Sequence, residues 1–208
     1  KMFFKDSLTV DSLQALREYI ALKFPNYPAA ALTYENAPVQ SERTQYTRRR
    51  LNEIDIKREK YERTKQSTQI GSKLSLKLPS ITEEEISLSD LKSKFIFVDI
   101  WASWCKPCRA QIPYIKEVLK KYPNDIKIYA VSIDIGHNTW RNAIEKDQTQ
   151  EFIHVIGTDQ DRRNVRSVEV LGIERIPRNF LLDRNCRIIA KDLHDEQLMQ
   201  TLDSLTKQ

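Results

Sequence analysis

The sequence predicts an α/β domain, a central mixed sheet flanked by helices, behind a helical N-terminal extension. Three observations predict it. From residue 73 onward, short apolar runs alternate with amphipathic helical patterns, giving a βαβ start and an antiparallel finish. A strand-like run, Phe95-Ile-Phe-Val-Asp-Ile100, leads through Trp101-Ala102-Ser103-Trp104 into Cys105-Lys106-Pro107-Cys108, and a helical pattern from Arg109 to Tyr122 leads away. Residues 1–66, by contrast, combine helical spacing with heavy charge.

In the first part, Leu13, Leu16, Tyr19, Ile20 and Phe24 share one face of a helix over 11–24. Pro25 and Pro28 stop it, and residues 29–34 begin another. From about Gln40 to Gln66 runs a charged helix. Residues 41–66 hold nine Lys or Arg against five Asp or Glu, an excess of four that supplies most of the net charge of +5. Arg48-Arg49-Arg50 raises nucleic-acid binding as a reading. Glu and Lys interspersed at spacings of three and four instead mark a solvated helix face, so no nucleic-acid partner is expected. A spacer or partner-docking role fits better. Residues 67–72 read as a linker, with Gly71 as punctuation, and 73–208 as the second domain.

In that domain, 74–78 and 85–88 read as an opening hairpin, followed by strand 95–100 and a helix over 107–122 kinked by Pro113. Strand 126–133, helix 138–147, strand 152–156 and a short helix near 161–169 come next. Strands 179–183 and 187–190 form a hairpin around Arg184-Asn185. A closing helix, 195–206, presents Leu198, Leu202 and Leu205 to the core.

The chemistry lies at Cys105 and Cys108. Two thiols at this spacing can close a disulfide across the first turn of a helix. The first N–H groups of a helix lack intrahelical partners and carry partial positive charge, which favours a thiolate at Cys105. Thiols so placed titrate at roughly 3.5–7.5, against about 8.5 for a free cysteine. Lys106 adds positive charge, and Pro107 fits the first turn, where a missing N–H costs nothing. This makes Cys105 an acidic, accessible nucleophile and Cys108, one turn further in, the more buried resolving thiol. The competing readings are a zinc half-site or two inert core cysteines. Zinc needs four ligands, and no second Cys-x-x-Cys or His pair exists. Redox exchange is therefore the preferred reading.

The stretch FIFVDIWASWCKPCRAQ, residues 95–111, resembles the active-site segment of the thioredoxin superfamily. It is most similar to the TlpA/ResA-like (AhpC/TSA–Redoxin type) thiol–disulfide oxidoreductases of bacterial envelopes. The likeness runs from Leu74 to the C-terminus through three further segments. IYAVSID (128–134) resembles the family's central strand, and IPRNFLLD (176–183) its cis-proline loop and following strand. DRNCRII (183–189) resembles its last hairpin, with Cys186 where a glycine usually stands. The resemblance implies a thioredoxin-like fold, with an inserted αβ segment around 138–156. It implies a cis bond before Pro177, which would set the Ile176 backbone beside Cys105 to pair with a substrate strand. It makes Asp99 the buried acid that takes the Cys108 proton; a strand-end hydrogen bond is the plainer alternative. Trp104 would flank the dithiol while Trp101 fills core. Arg178 departs from the small polar residue usual after the proline, which favours an acidic partner surface.

The implied activity is thiol–disulfide exchange with protein partners, as an envelope reductant with no cofactor beyond a Cys105–Cys108 disulfide. An upstream donor such as a membrane thiol reductase would reset it. A chain that starts at Lys1 implies a removed leader or a longer N-terminal region, and a membrane tether outside the chain fits; the sequence itself holds no signal peptide. No apolar run approaches the 18 to 20 residues of a membrane span. Localisation to periplasm or envelope rests on the resemblance. The alternative function is a non-catalytic or copper-delivery module. Copper-handling relatives space their cysteines by three residues, and His137, His154 and His194 are dispersed without ligand spacing, so no metal is expected. A peroxidase of the same scaffold would lack the second cysteine. Cys186 reads as a tolerated turn residue, or else a regulatory or intermolecular thiol. Trp140 reads as packing.

Overall fold

The computed structural model describes residues 62–158, 171–173 and 175–207, with 53, 56, 59 and 168 as single positions. The chain divides after residue 61, and the second unit, Glu62–Gln208, carries all that follows. The helices expected over 11–24 and 29–34, and most of those near 40–66 and 161–169, lie outside the described residues; 62–67 is helical, as is Val168.

After residue 73 the elements are β1 (Lys77–Pro79), β2 (Glu85–Ser87), a 3-10 turn (Leu88–Asp90), β3 (Phe95–Trp101), α1 (Lys106–Ala110), α2 (Ile112–Lys121), β4 (Ile126–Ser132), α3 (His137–Asp147), β5 (Ile153–Ile156), β6 (Arg178–Asp183), β7 (Ile188–Lys191) and α4 (Gln197–Thr206). Strands β1 and β2 form a small hairpin; the main sheet has the order β5-β4-β3-β6-β7. β3 runs parallel to β4 and antiparallel to β6. All seven residues of β3 are buried, which is why it reads as a continuous apolar run rather than an alternating one.

Alternate residues feed two cores. Phe95, Phe97, Trp101, Ile128 and Ala130 pack with Ile115 and Val118 of α2, Trp140 and Ile144 of α3, and Leu198 and Leu202 of α4. Ile96, Val98, Ile100, Tyr129 and Val131 pack on the other face with Leu74, Leu76 and Leu78, and with Val168 and Leu171. The helix expected over 107–122 is interrupted at Gln111 rather than kinked at Pro113. Pro113 has no N–H to offer the Arg109 carbonyl, the Gln111 N–H closes the turn on the Cys108 carbonyl at 3.0 Å, and a new helix starts at Ile112 with the proline in its first turn.

Candidate active site

The chain leaves β3 at Trp101 and turns once before α1. The Cys105 N–H donates to the Ala102 carbonyl at 3.0 Å. Asp134, just past β4, clamps this turn: its carboxylate accepts from the Ser103 N–H at 2.8 Å, from Ser103 Oγ at 2.6 Å and from Ser132 Oγ at 2.8 Å. Arg109 ties the turn from the other side. Its guanidinium meets Asp147 with two bonds of 2.6 Å and reaches the Ser103 carbonyl at 3.3 Å.

Cys105 is the N-cap of α1, with Pro107 in the first turn, and its Sγ accepts the Cys108 N–H at 3.2 Å. The two cysteines form a disulfide, with S–S 2.05 Å and Cα–Cα 5.3 Å. Cys108 is the more buried of the two, as expected, but the expectation of an accessible Cys105 needs correction. Both are buried, Cys105 at 4% and Cys108 at 2% exposure, because the Cys105 sulfur turns back over the first turn toward the Cys108 N–H and Sγ. Trp104 is the exposed member of the motif at 64%, flanked by exposed Lys106 and Pro107.

The Ile176–Pro177 peptide bond is cis. Arg178 pairs with Ile100, so these two residues sit just past the end of β3 from which the cysteine turn departs. Both are half-buried, and the Arg178 guanidinium lies 5.1 Å over the Phe180 ring.

Asp99 is buried in β3, and desolvation pushes its carboxyl up to about 7. Two cavities reach it. One, about 240 Å³ including its open mouth, is lined by Asp99, Trp101, Cys108, Ala130, Thr149 and His154, among others. The other, about 250 Å³ counted the same way, includes Asp99, Gln111, Tyr114, Asn179 and Asp195. At the second, Gln111 and Asp195 exchange hydrogen bonds: Gln111 Nε2 to the carboxylate at 3.0 Å and the Asp195 N–H to Gln111 Oε1 at 2.7 Å. Asp99 thus shares a cavity with Cys108.

Sequence reasoning missed Asp134, Arg109 and His154. The first two act through partners 31 and 38 residues distant, a separation no local pattern encodes. His154 did leave a signal, being the one titratable residue in the apolar strand Ile153-His-Val-Ile156. Cys186 is a turn residue at φ +60°, and burial raises its thiol pKa. Among the described residues no three His, Cys, Asp or Glu side chains converge as metal ligands, and no helix is long and apolar enough to cross a membrane.

A strand–turn–helix carrying a Cys-x-x-Cys disulfide at the helix N-terminus, on this sheet, defines a thioredoxin-like thiol–disulfide oxidoreductase. The Redoxin family model matches residues 69–207, and the chain belongs to the Redoxin family. Within it the chain is TlpA/ResA-like. It is 25% identical over 147 residues to the thiol–disulfide oxidoreductase ResA of Bacillus cereus, covering 68% of this chain and 82% of the relative. Its structure is similar to the thioredoxin domain of a Bacteroides vulgatus thiol–disulfide oxidoreductase, with TM-score 0.61 and 28% identity over 67% of this chain and 99% of that one. A thiol:disulfide interchange protein from a Bacteroides species gives TM-score 0.61 and 28% identity over 68% and 93% of the two chains.

Proposed function

We propose that the chain exchanges disulfides with protein partners in the bacterial envelope, working as a reductant, with Cys105 as nucleophile, Cys108 as resolving thiol and Asp99 as proton acceptor. The observation that carries the reading is a disulfide at a helix N-cap with a buried carboxyl of raised pKa in the cavity behind its inner sulfur. In the reduced protein the Cys105 thiolate attacks a partner disulfide. One partner sulfur leaves with the electron pair, and a mixed disulfide forms. Asp99 then takes the Cys108 proton, Cys108 attacks the Cys105 sulfur, and the second partner sulfur leaves as thiolate. The partner gains two electrons and the Cys105–Cys108 disulfide returns. No further cofactor enters.

Trp104 and Lys106 offer the exposed face for docking, and the Ile176–Pro177 backbone offers main-chain hydrogen bonds to an extended substrate segment. Arg178 beside it favours an acidic partner surface. The residues before Glu62 serve as a spacer or docking extension to the unit over Glu62–Gln208, into which the expected linker 67–72 is hydrogen-bonded through Gly71 and Ser72. An upstream membrane thiol reductase would return electrons to the dithiol, and a tether outside this chain would hold it at the membrane. The envelope placement is supported by the likeness to ResA.

The test is reduction of insulin by dithiothreitol, followed by turbidity. Acceleration over background that is lost in Cys105→Ser supports exchange, and no acceleration removes it. The reduction potential then sets direction: a value near about −270 mV fits a reductant and one near about −120 mV an oxidant.

A further inference from the structure

His154 is a buried titratable residue that the exchange steps above leave unused. Its Nε2 lies 2.9 Å from the Thr149 carbonyl oxygen and 3.1 Å from Thr149 Oγ1. A carbonyl can only accept, so Nε2 carries the ring hydrogen and Nδ1 presents a bare lone pair. Nδ1 is buried and has no hydrogen-bond partner in the protein. Trp101 and Phe152 pack against the ring, each at a centroid distance of 5.8 Å. Burial pushes the imidazole down to about 4, so it is neutral, and an acceptor at Nδ1, throughout the neutral range.

Strand register says which residues stand beside this ring. Asp99 pairs with Ala130, and Ala130 pairs with His154. Side-by-side residues of adjacent strands share a face, so only the methyl group of Ala130 stands between carboxyl and imidazole. The cavity that reaches Cys108 fills the gap left by that small side chain, with room for about one water molecule in its enclosed part. Asp99, Thr149, His154 and Cys108 supply the polar lining such a water needs. Of the other titratable groups on the surrounding elements, Tyr114 of α2 and Asp195 line the second cavity at Asp99, Asp195 accepting from Gln111 Nε2 at 3.0 Å; Arg109 of α1 pairs with Asp147 of α3, and Lys116 of α2 donates to the Asp147 carbonyl. Lys127 of β4 is exposed.

We propose that His154 is a positioning residue for the resolving step: its Nδ1 lone pair anchors one water molecule between the Cys108 thiol and the Asp99 carboxylate. The water donates one O–H to Nδ1 and the other to Asp99, and accepts from the Cys108 S–H. As Cys108 attacks, its proton passes to the water oxygen and the water's own proton passes to Asp99, so the water is regenerated. The sulfur electron pair forms the Cys105–Cys108 bond, and the bond from Cys105 to the partner breaks with its pair on the partner's sulfur. The inference rests on the Asp99 assignment above.

The test uses the full reduced chain and an aromatic disulfide that releases a coloured thiolate at each step, followed by stopped flow across pH. The first release reports Cys105, the second Cys108. His154→Phe leaves the first release within about twofold and slows the second about three- to tenfold at pH 7, the weight of one hydrogen bond, with its pH midpoint moved upward. His154→Gln can donate to Thr149 through Nε2 and offer Oε1 to the cavity, and restores the second release to within about twofold. An unchanged second release in His154→Phe, or a His154→Gln variant as slow as His154→Phe, overturns the proposal. Nitrogen NMR of the unsubstituted ring tests it without any variant. The expected result is an Nε2–H tautomer whose Nδ1 resonance moves between the oxidised and reduced protein; an Nδ1–H tautomer overturns it. Asp99→Asn separates the two readings. A second release at wild-type speed there sinks the Asp99 role, whereas a slow Asp99→Asn beside a wild-type-like His154→Phe sinks only the role of His154.

Discussion

Asp99 and His154 stand on one row of the sheet with Ala130 alone between them, and burial drives their titrations in opposite directions. The carboxyl rises to about 7 from 3.8 and the imidazole falls to about 4 from 6.5. Each would rather be neutral in a poorly solvated place, and neutrality means gaining a proton for one and losing it for the other.

The pair makes two opposed contributions to how stability depends on pH. Between pH 4 and 6.5 the folded state keeps the Asp99 proton that the unfolded chain has released, so this group makes stability fall as pH rises. Over the same span the folded state lacks the His154 proton that the unfolded chain has taken up, so that group makes stability rise. The two slopes oppose each other. Urea melts of the parent in this window give the reference for two variants. His154→Phe should lose stability from pH 4 to 7 by up to about 4 kcal/mol, and Asp99→Asn should gain it from pH 4 to 6.5 by up to about 3 kcal/mol. Parallel curves for all three proteins would refute the assignment.

Cys108→Ser should trap the reaction half-way. With the resolving sulfur gone, Cys105 forms a mixed disulfide that nothing inside the protein can break. Mass spectrometry should find reduced Cys108→Ser joined to a disulfide-containing protein substrate through Cys105. The parent and Cys105→Ser should yield no such adduct at that position. An adduct through Cys186 instead would contradict the assignment.

Asp134→Ala should loosen the active-site turn. The substitution strands the Ser103 N–H and the Ser132 hydroxyl, both of which lose a carboxylate acceptor. Stranding the buried Ser132 donor costs about 1–3 kcal/mol and the half-buried Ser103 N–H about 1 kcal/mol more, so a loss of about 2–4 kcal/mol is expected in denaturant unfolding. Attack by Cys105 on a small disulfide should slow as well, because Ser103 lies two residues before it. A full-speed variant would mean that the turn holds its shape without the clamp.

Trp104→Ala should separate docking from chemistry. The side chain is 64% exposed, so its removal should alter stability by less than about 0.5 kcal/mol. Reaction with a small aromatic disulfide should keep its rate, while the KM for insulin rises severalfold. A change confined to the small-molecule reaction would place the indole in the chemistry instead.

Much of this was legible in sequence because it is local. The run from Phe95 to Ile100 announces a doubly buried strand, the Cys-x-x-Cys behind it announces the helix start, and Asp99 stands out as the sole charge in an apolar run. Pro113 announced a break, and only its position was misjudged, since the missing N–H acts one turn upstream at the Arg109 carbonyl.

By itself, then, the sequence determined the fold class, the redox pair and the buried acid, since periodicity, helix-end chemistry and isolated charge are properties of neighbours in the chain. Tertiary structure alone decided what surrounds them: that Asp134 and Arg109 grip the cysteine turn, that both sulfurs are buried, and that His154 shares a cavity with Asp99 and Cys108. Those relations depend on strand register and on which side chain is small enough to leave a gap, and register is fixed by pairing between segments dozens of residues apart.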